Sequence, residues 1–290
     1  MQSLTLLATY KRANQAVACK RRHILDLTLN EYQENSELIK NGYIEAGRFL
    51  LMQNIYSSSD LPYGSQLIPL AAIFAELGNK ATTAKSYDKI SLWFWNGVFG
   101  EMYGGANETR FVKDFTEMMA WINSDSADIP DTIKVSSFRA DRLEEMRTKN
   151  SAAYKGVGAL LLKNGAKDFY KAYTIDSITK YNSANIDIHH IFPKSHCEKN
   201  NIPRDKYDSI INKAPISYDT NRKIGGSAPS LYIKNFLDSE NGIEKTNELL
   251  ASQLIDITTI RADDFDAYYN LRKESLIKLI ESSMGKQVTR

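Results

Sequence analysis

Three of the four histidines in this 290-residue chain fall within IDIHHIFPKSHC, residues 186–197: His189, His190 and His196. Adjacent imidazoles at the end of an extended segment point to opposite sides of the strand, so one can bind a metal ion while its neighbour faces a water molecule. An imidazole with an ordinary pKa near ~6.5 is largely unprotonated at neutral pH and accepts a proton without a large environmental shift. Phosphodiester hydrolysis by that route needs a base, a divalent cation on a phosphate oxygen, and a scaffold that holds the two close together. A strand, loop, strand, helix unit supplies all three if a third group arrives from the helix. INKAPISYDTNRKIGG, 211–226, offers Asn212 near the start of a second extended run and Asn221 at the start of a helix.

The elements that must position these residues are mostly helical. Phe111, Phe115, Met118, Met119 and Ile122 recur at three- and four-residue steps and form one apolar helix face. In SLWFWNGVFG, 91–100, Trp93, Trp95 and Phe99 read as core packing rather than as a base-stacking platform. Arg110 and Asp114, four apart, read as a helical ion pair. A helix over Ala152–Lys163 stops at Gly165, where glycine supplies a left-handed cap. From about Tyr173 to Asp219 the texture changes to short extended runs, ANIDIHHI and IINKAPISY, joined by a long polar loop. Thr220 is the expected N-cap of the helix that follows, and GGSAPS reads as its stop and turn. The tail, with Phe265, Tyr269, Leu276, Leu279 and Ile280, reads as a final amphipathic helix. The expected fold class is mainly α with a small α+β insert: a helical domain over 1–172, then 173–290 with the strand, strand, helix unit and C-terminal helices.

IDIHHIFPK, followed about twenty residues later by INKAPISYDTNRKIGGSAPSLY, resembles the HNH nuclease domain, the ββα-metal or His-Me finger, in the form found at the C-terminus of GmrSD-type restriction proteins. The helical segment at 89–115 is also similar to the region preceding the nuclease motif in those proteins. The resemblance implies that His190 is the general base, that His189 and Asn221 hold the metal, and that Asn212 ties the loop together and orients the base. It implies one divalent metal ion, Mg²⁺ first. His189 stands where an aspartate is common, and an imidazole moves preference toward Mn²⁺, Ni²⁺ or Zn²⁺. The activity implied is DNA phosphodiester hydrolysis in an anti-phage restriction system acting on modified or phage DNA, with 5′-phosphate and 3′-hydroxyl products. Such proteins carry an N-terminal ParB-like, NTP-using half. Neither its DGQQR-like motif nor a P-loop is found here, so that half is expected as a further domain or a separate subunit.

Charge agrees locally. The whole chain is nearly balanced at +2, which neither demands nor excludes a polyanion. Between His189 and Asn235, however, eight basic residues (Lys194, Lys199, Arg204, Lys206, Lys213, Arg222, Lys223, Lys234) meet four acidic ones (Glu198, Asp205, Asp208, Asp219). Arg222, Lys223 and Lys194 are the expected phosphate contacts. Two other readings fit the same residues: a catalytically silent nucleic-acid-binding module, and a helical interaction module stapled by zinc on the histidine pair, His196 and Cys197. Cys19 and Cys197 give no disulfide framework. No secretory signal or membrane-spanning stretch is evident, so a cytoplasmic location is expected.

Overall fold

The computed structural model describes residues 1–13, 15–105, 107–170, 175 and 178–290. It divides into two compact units: Met1–Met52 with Leu61–Ser137 and Ser283–Gly285, and Gln53–Asp60 with Phe138–Ser282 and Lys286–Arg290. The junction expected at 172 and 173 lies outside the described residues. The main division falls near 137, because the helix over Ala152–Lys163, expected with the first domain, packs on a strand of the second unit.

The first unit is helical: α1 (Gln2–Lys11), α2 (Leu29–Met52), α3 (Leu67–Leu77), α4 (Ala84–Phe99) and α5 (Glu108–Asn123). Its core is built on α3, which lies against α1, α2 and α5. The approach of α2 to α3 depends on Gly42, where an added Cβ would stand 2.2 Å from the Ala71 carbonyl oxygen. A reciprocal cap starts α2: the Thr28 hydroxyl accepts from the Glu31 N–H (3.2 Å), and the Glu31 carboxylate accepts from the Thr28 N–H (2.9 Å).

The aromatic segment is core as expected, with Trp93, Trp95 and Phe99 all buried, and so is the α5 face from Phe111 to Ile122. The Arg110–Asp114 pair is corrected. Asp114 is fully buried and accepts from the Tyr103 and Thr132 hydroxyls, while Arg110 reaches Asp131 at 3.4 Å. Facing the core, Asp114 meets hydroxyl donors; Asp131 is open enough to water to hold a guanidinium.

The second unit holds α6 (Ala152–Lys163), β1 (Ile186–His190), β2 (Lys213–Ser217), α7 (Tyr218–Ile224) and most of α8 (Phe265–Met284). β1 and β2 form a two-stranded antiparallel sheet in which His189 faces Ala214 and His190 faces Lys213. Two strands alone are marginal in water. Here α6 packs on β2, and α7 packs on both strands. Gly158 of α6 lets that helix approach β1: an added Cβ would meet the Ile188 side chain at 2.8 Å. Gly165 has φ +87°, as its capping role requires.

The connection between the strands is more ordered than a polar loop. It carries short helices at Lys194–Lys199 and Arg204–Tyr207 and a 3₁₀ turn at Ile210–Asn212, so Asn212 sits in that turn rather than in the strand. The cap of α7 is Ser217, not Thr220: the Ser217 hydroxyl accepts from the Thr220 N–H at 3.2 Å. Thr220 instead donates its hydroxyl to the buried Asp168 at 2.6 Å, and the same carboxylate accepts the Ser217 N–H at 2.7 Å. Asp168 thus fixes the corner at which β2 turns into α7.

Candidate active site

β1 ends on the paired histidines, and the chain leaves it through Ile191 and Phe192. Asn212 holds that exit. Fully buried, it accepts the Phe192 N–H on Oδ1 (2.9 Å) and donates Nδ2 to the carbonyls of Phe192 (3.0 Å) and Tyr207 (2.9 Å), while its own carbonyl accepts the Ile191 N–H (2.9 Å). One amide therefore joins the end of β1, the end of the Arg204–Tyr207 helix and the start of β2. Only a side chain with both a donor and an acceptor can do this.

The histidines face different surroundings. His190 Nε2 lies 3.2 Å from Asp208 Oδ1, and its ring meets the edge of Tyr207 with centroids 6.3 Å apart. The same Asp208 oxygen is 3.0 Å from Lys213 Nζ, and Arg204 Nε lies 3.8 Å from the other. Lys213 is a buried cation. Its ammonium also donates to the Arg147 carbonyl (2.7 Å) and lies 5.7 Å from the centre of the Tyr154 ring. Burial, followed by the Lys213 charge, pushes the His190 pKa below its ordinary value, against an upward pull from Asp208. Burial raises the Asp208 carboxyl, but hydrogen bonding and charge from Lys213, with a smaller part from His190, leave it lowered overall. Imidazole neutral and carboxylate charged is thus the resting arrangement.

His189 is half-buried, and its Nε2 is buried with no hydrogen-bond partner among the described residues. Burial lowers its pKa and Lys149 lowers it further, opposed by Asp187. Asp187 is itself paired with Lys149 at 2.7 Å. A neutral imidazole with an unspent ring nitrogen is the state in which histidine binds a metal ion. Asn221 sits half-buried on α7, which packs against β1, and its side chain makes no hydrogen bond among the described residues. An imidazole nitrogen and an amide oxygen are two donors suited to a divalent cation whose remaining positions are filled by water or phosphate. His189 and Asn221 are the residues that would hold such an ion.

The start of β2 is clamped from behind. Arg272 of α8 is buried and donates to the carbonyls of Lys213 (2.9 Å) and Gln253. Phe192 packs on Phe265 and Tyr268 of the same helix, so α8 holds both strand ends.

Of the expected phosphate contacts, Arg222 and Lys194 are exposed, with Lys194 3.6 Å from Glu198. Lys223 Nζ stands 3.7 Å from the centre of the Tyr170 ring and 5.1 Å from that of Phe236. For the zinc-stapled reading, among the described residues no group of three or more His, Cys, Asp or Glu could hold a metal, and Cys197 is buried with Sγ on the Phe192 carbonyl at 3.5 Å. Asp208, Lys213 and Arg272 are absent from the site as read from sequence, since nothing local marks them.

No protein-family model matches the chain. It is 34% identical over 179 residues to an uncharacterized protein of Methanocaldococcus jannaschii, MJ0686, a match that covers 58% of this chain. The match spans only 30% of that relative's length. No described helix is long and apolar enough to cross a membrane.

Proposed function

We propose that the second unit is an HNH-type, metal-dependent DNA endonuclease of the GmrSD-type restriction class. The observation that carries this reading is the order β1, β2, α7, with a histidine pair ending the first strand, a buried asparagine bracing its exit and Asn221 on the helix. His189 Nε2, buried without a partner among the described residues, supports it.

In this mechanism His190 accepts a proton from water, the hydroxide oxygen attacks phosphorus, and the P–O3′ bond breaks, leaving a 5′-phosphate; the departing 3′ oxygen takes its proton from solvent. A divalent cation bound by His189 and Asn221, with Mg²⁺, Mn²⁺ and Ni²⁺ as candidates, would supply charge stabilisation on the phosphate and on the leaving oxygen. Asn212 holds His190 at the end of β1. Arg222, Lys194 and Lys223 lie on the strand-connecting loop and α7, where they receive backbone phosphates. The wider reading, an anti-phage restriction system with modified DNA as substrate and an NTP-using ParB-like partner domain or subunit, rests on the resemblance alone.

The test is supercoiled plasmid incubated with the purified chain and Mg²⁺, Mn²⁺ or Ni²⁺, each with an EDTA control. Nicked or linear product that EDTA abolishes is expected. Intact plasmid under every metal, with a salt-dependent gel shift from the same sample, would replace the enzyme by the silent binding module.

A further inference from the structure

The connection between the strands carries a group whose position goes beyond the proposed base and metal ligands. Asp208 is reached from three sides: by His190 Nε2 (3.2 Å) and Lys213 Nζ (3.0 Å), both on Oδ1, and by Arg204 (3.8 Å) on Oδ2. Lys213 lies directly opposite His190 in the β1–β2 register, so its ammonium would face the ring unscreened if Asp208 were removed. Burial of that lysine, side chain 7% exposed, makes a neutral partner costly and a carboxylate favourable.

We propose that Asp208 is the positioning residue of the histidine base, fixing its tautomer. Paired with a buried lysine, the carboxylate can only accept hydrogen bonds, so the neutral His190 ring must carry its proton on Nε2. Its basic lone pair is then on Nδ1, and the attacking water stands at the Nδ1 edge of the ring. Lys213 acts on the carboxylate rather than on substrate: it keeps Asp208 an acceptor and, through its Arg147 contact, immobile. The inference rests on His190 being the base.

Two measurements on the full chain test it. Long-range ¹⁵N–¹H correlation spectra of histidine-labelled protein at pH 8, with His190 assigned by its loss in His190→Gln, read the tautomer directly. The wild type should show the proton on Nε2. Asp208→Ala should show a mixture, and Asp208→Asn, which keeps an oxygen beside Lys213, should retain the wild-type form. In plasmid nicking, Asp208→Ala should lose about tenfold or more in kcat with KM for DNA unchanged, and Asp208→Asn should recover part of the loss. A wild-type ring protonated on Nδ1 overturns the proposal even if Asp208→Ala does not fold, and so does an Asp208→Ala protein with unaltered tautomer and kcat. If the wild type cuts no DNA, the nuclease reading fails, while the spectra still decide the role of Asp208.

Discussion

His190→Ala should reduce DNA cleavage by about 10²- to 10⁴-fold, the usual worth of a positioned general base. The protein should remain folded, because the groups around the ring keep one another satisfied: Asp208 retains Lys213 at 3.0 Å and Arg204 at 3.8 Å, and Asn212 makes its bonds to backbone. The loss should appear in kcat rather than in DNA affinity, since the ring carries no net charge in the resting site and makes no phosphate contact in the mechanism. Initial nicking rates together with a melting curve separate the outcomes. A variant that cuts as fast as the parent removes His190 from the chemistry.

Asn212→Leu should destabilise the second unit markedly. The leucine is similar in size but leaves the Phe192 N–H and the Tyr207 carbonyl buried without partners, and leaves the Phe192 carbonyl only the weak Cys197 thiol donor. Each abandoned group costs about 1–3 kcal/mol, so a loss of at least about 2 kcal/mol is expected. For a unit of this size that lowers the melting temperature by roughly 4–8 °C. Asn212→Asp should be no milder, since one oxygen still accepts the Phe192 N–H but the other, in place of Nδ2, is a buried acceptor facing the Phe192 and Tyr207 carbonyls. Thermal unfolding read by circular dichroism, with both variants on one scale, checks the order. A leucine variant as stable as the parent would mean that the turn at 210–212 does not depend on this amide.

Features set by local pattern were legible in the sequence. The 3.6-residue spacing of Phe111 to Ile122 and the apolar density of 91–100 dictate which faces are buried, and α5 and α4 form accordingly. The short extended runs around 186–190 and 213–217, set between polar turn signals, pair as strands. Pairings across long separations were not legible. Asp208 lies 18 positions from His190 and Arg272 lies 59 from Lys213, and neither distance leaves a periodic trace. Ser217 was hidden behind Thr220 because both are good caps: the register of β2, which ends on Ser217, decides between them, and that register depends on Asp168 49 positions upstream. Arg110 illustrates the same limit. Spacing offers Asp114, yet which carboxylate faces water depends on packing around Tyr103 and Thr132.

The site shares this division. The histidine pair and the two asparagines are recognisable from residue type and order, whereas the buried Lys213–Asp208 pair and the Arg272 clamp are consequences of the fold. Lys213 in particular counts as one of eight basic residues in the sequence, but its charge is spent inside the protein. The outward-facing charge is therefore carried by residues such as Arg204, Arg222 and Lys194, which are exposed.

If His189 and Asn221 hold one cation beside the His190 ring, calorimetry with Mn²⁺ should show it on the full chain and lose it on His189→Ala and Asn221→Ala, with His23→Ala as a control far from the site in sequence. One Mn²⁺ per chain is expected, weakened at least about tenfold by either of the first two substitutions and unchanged by the control. Absent binding, or binding indifferent to both His189→Ala and Asn221→Ala, would remove the metal from this site.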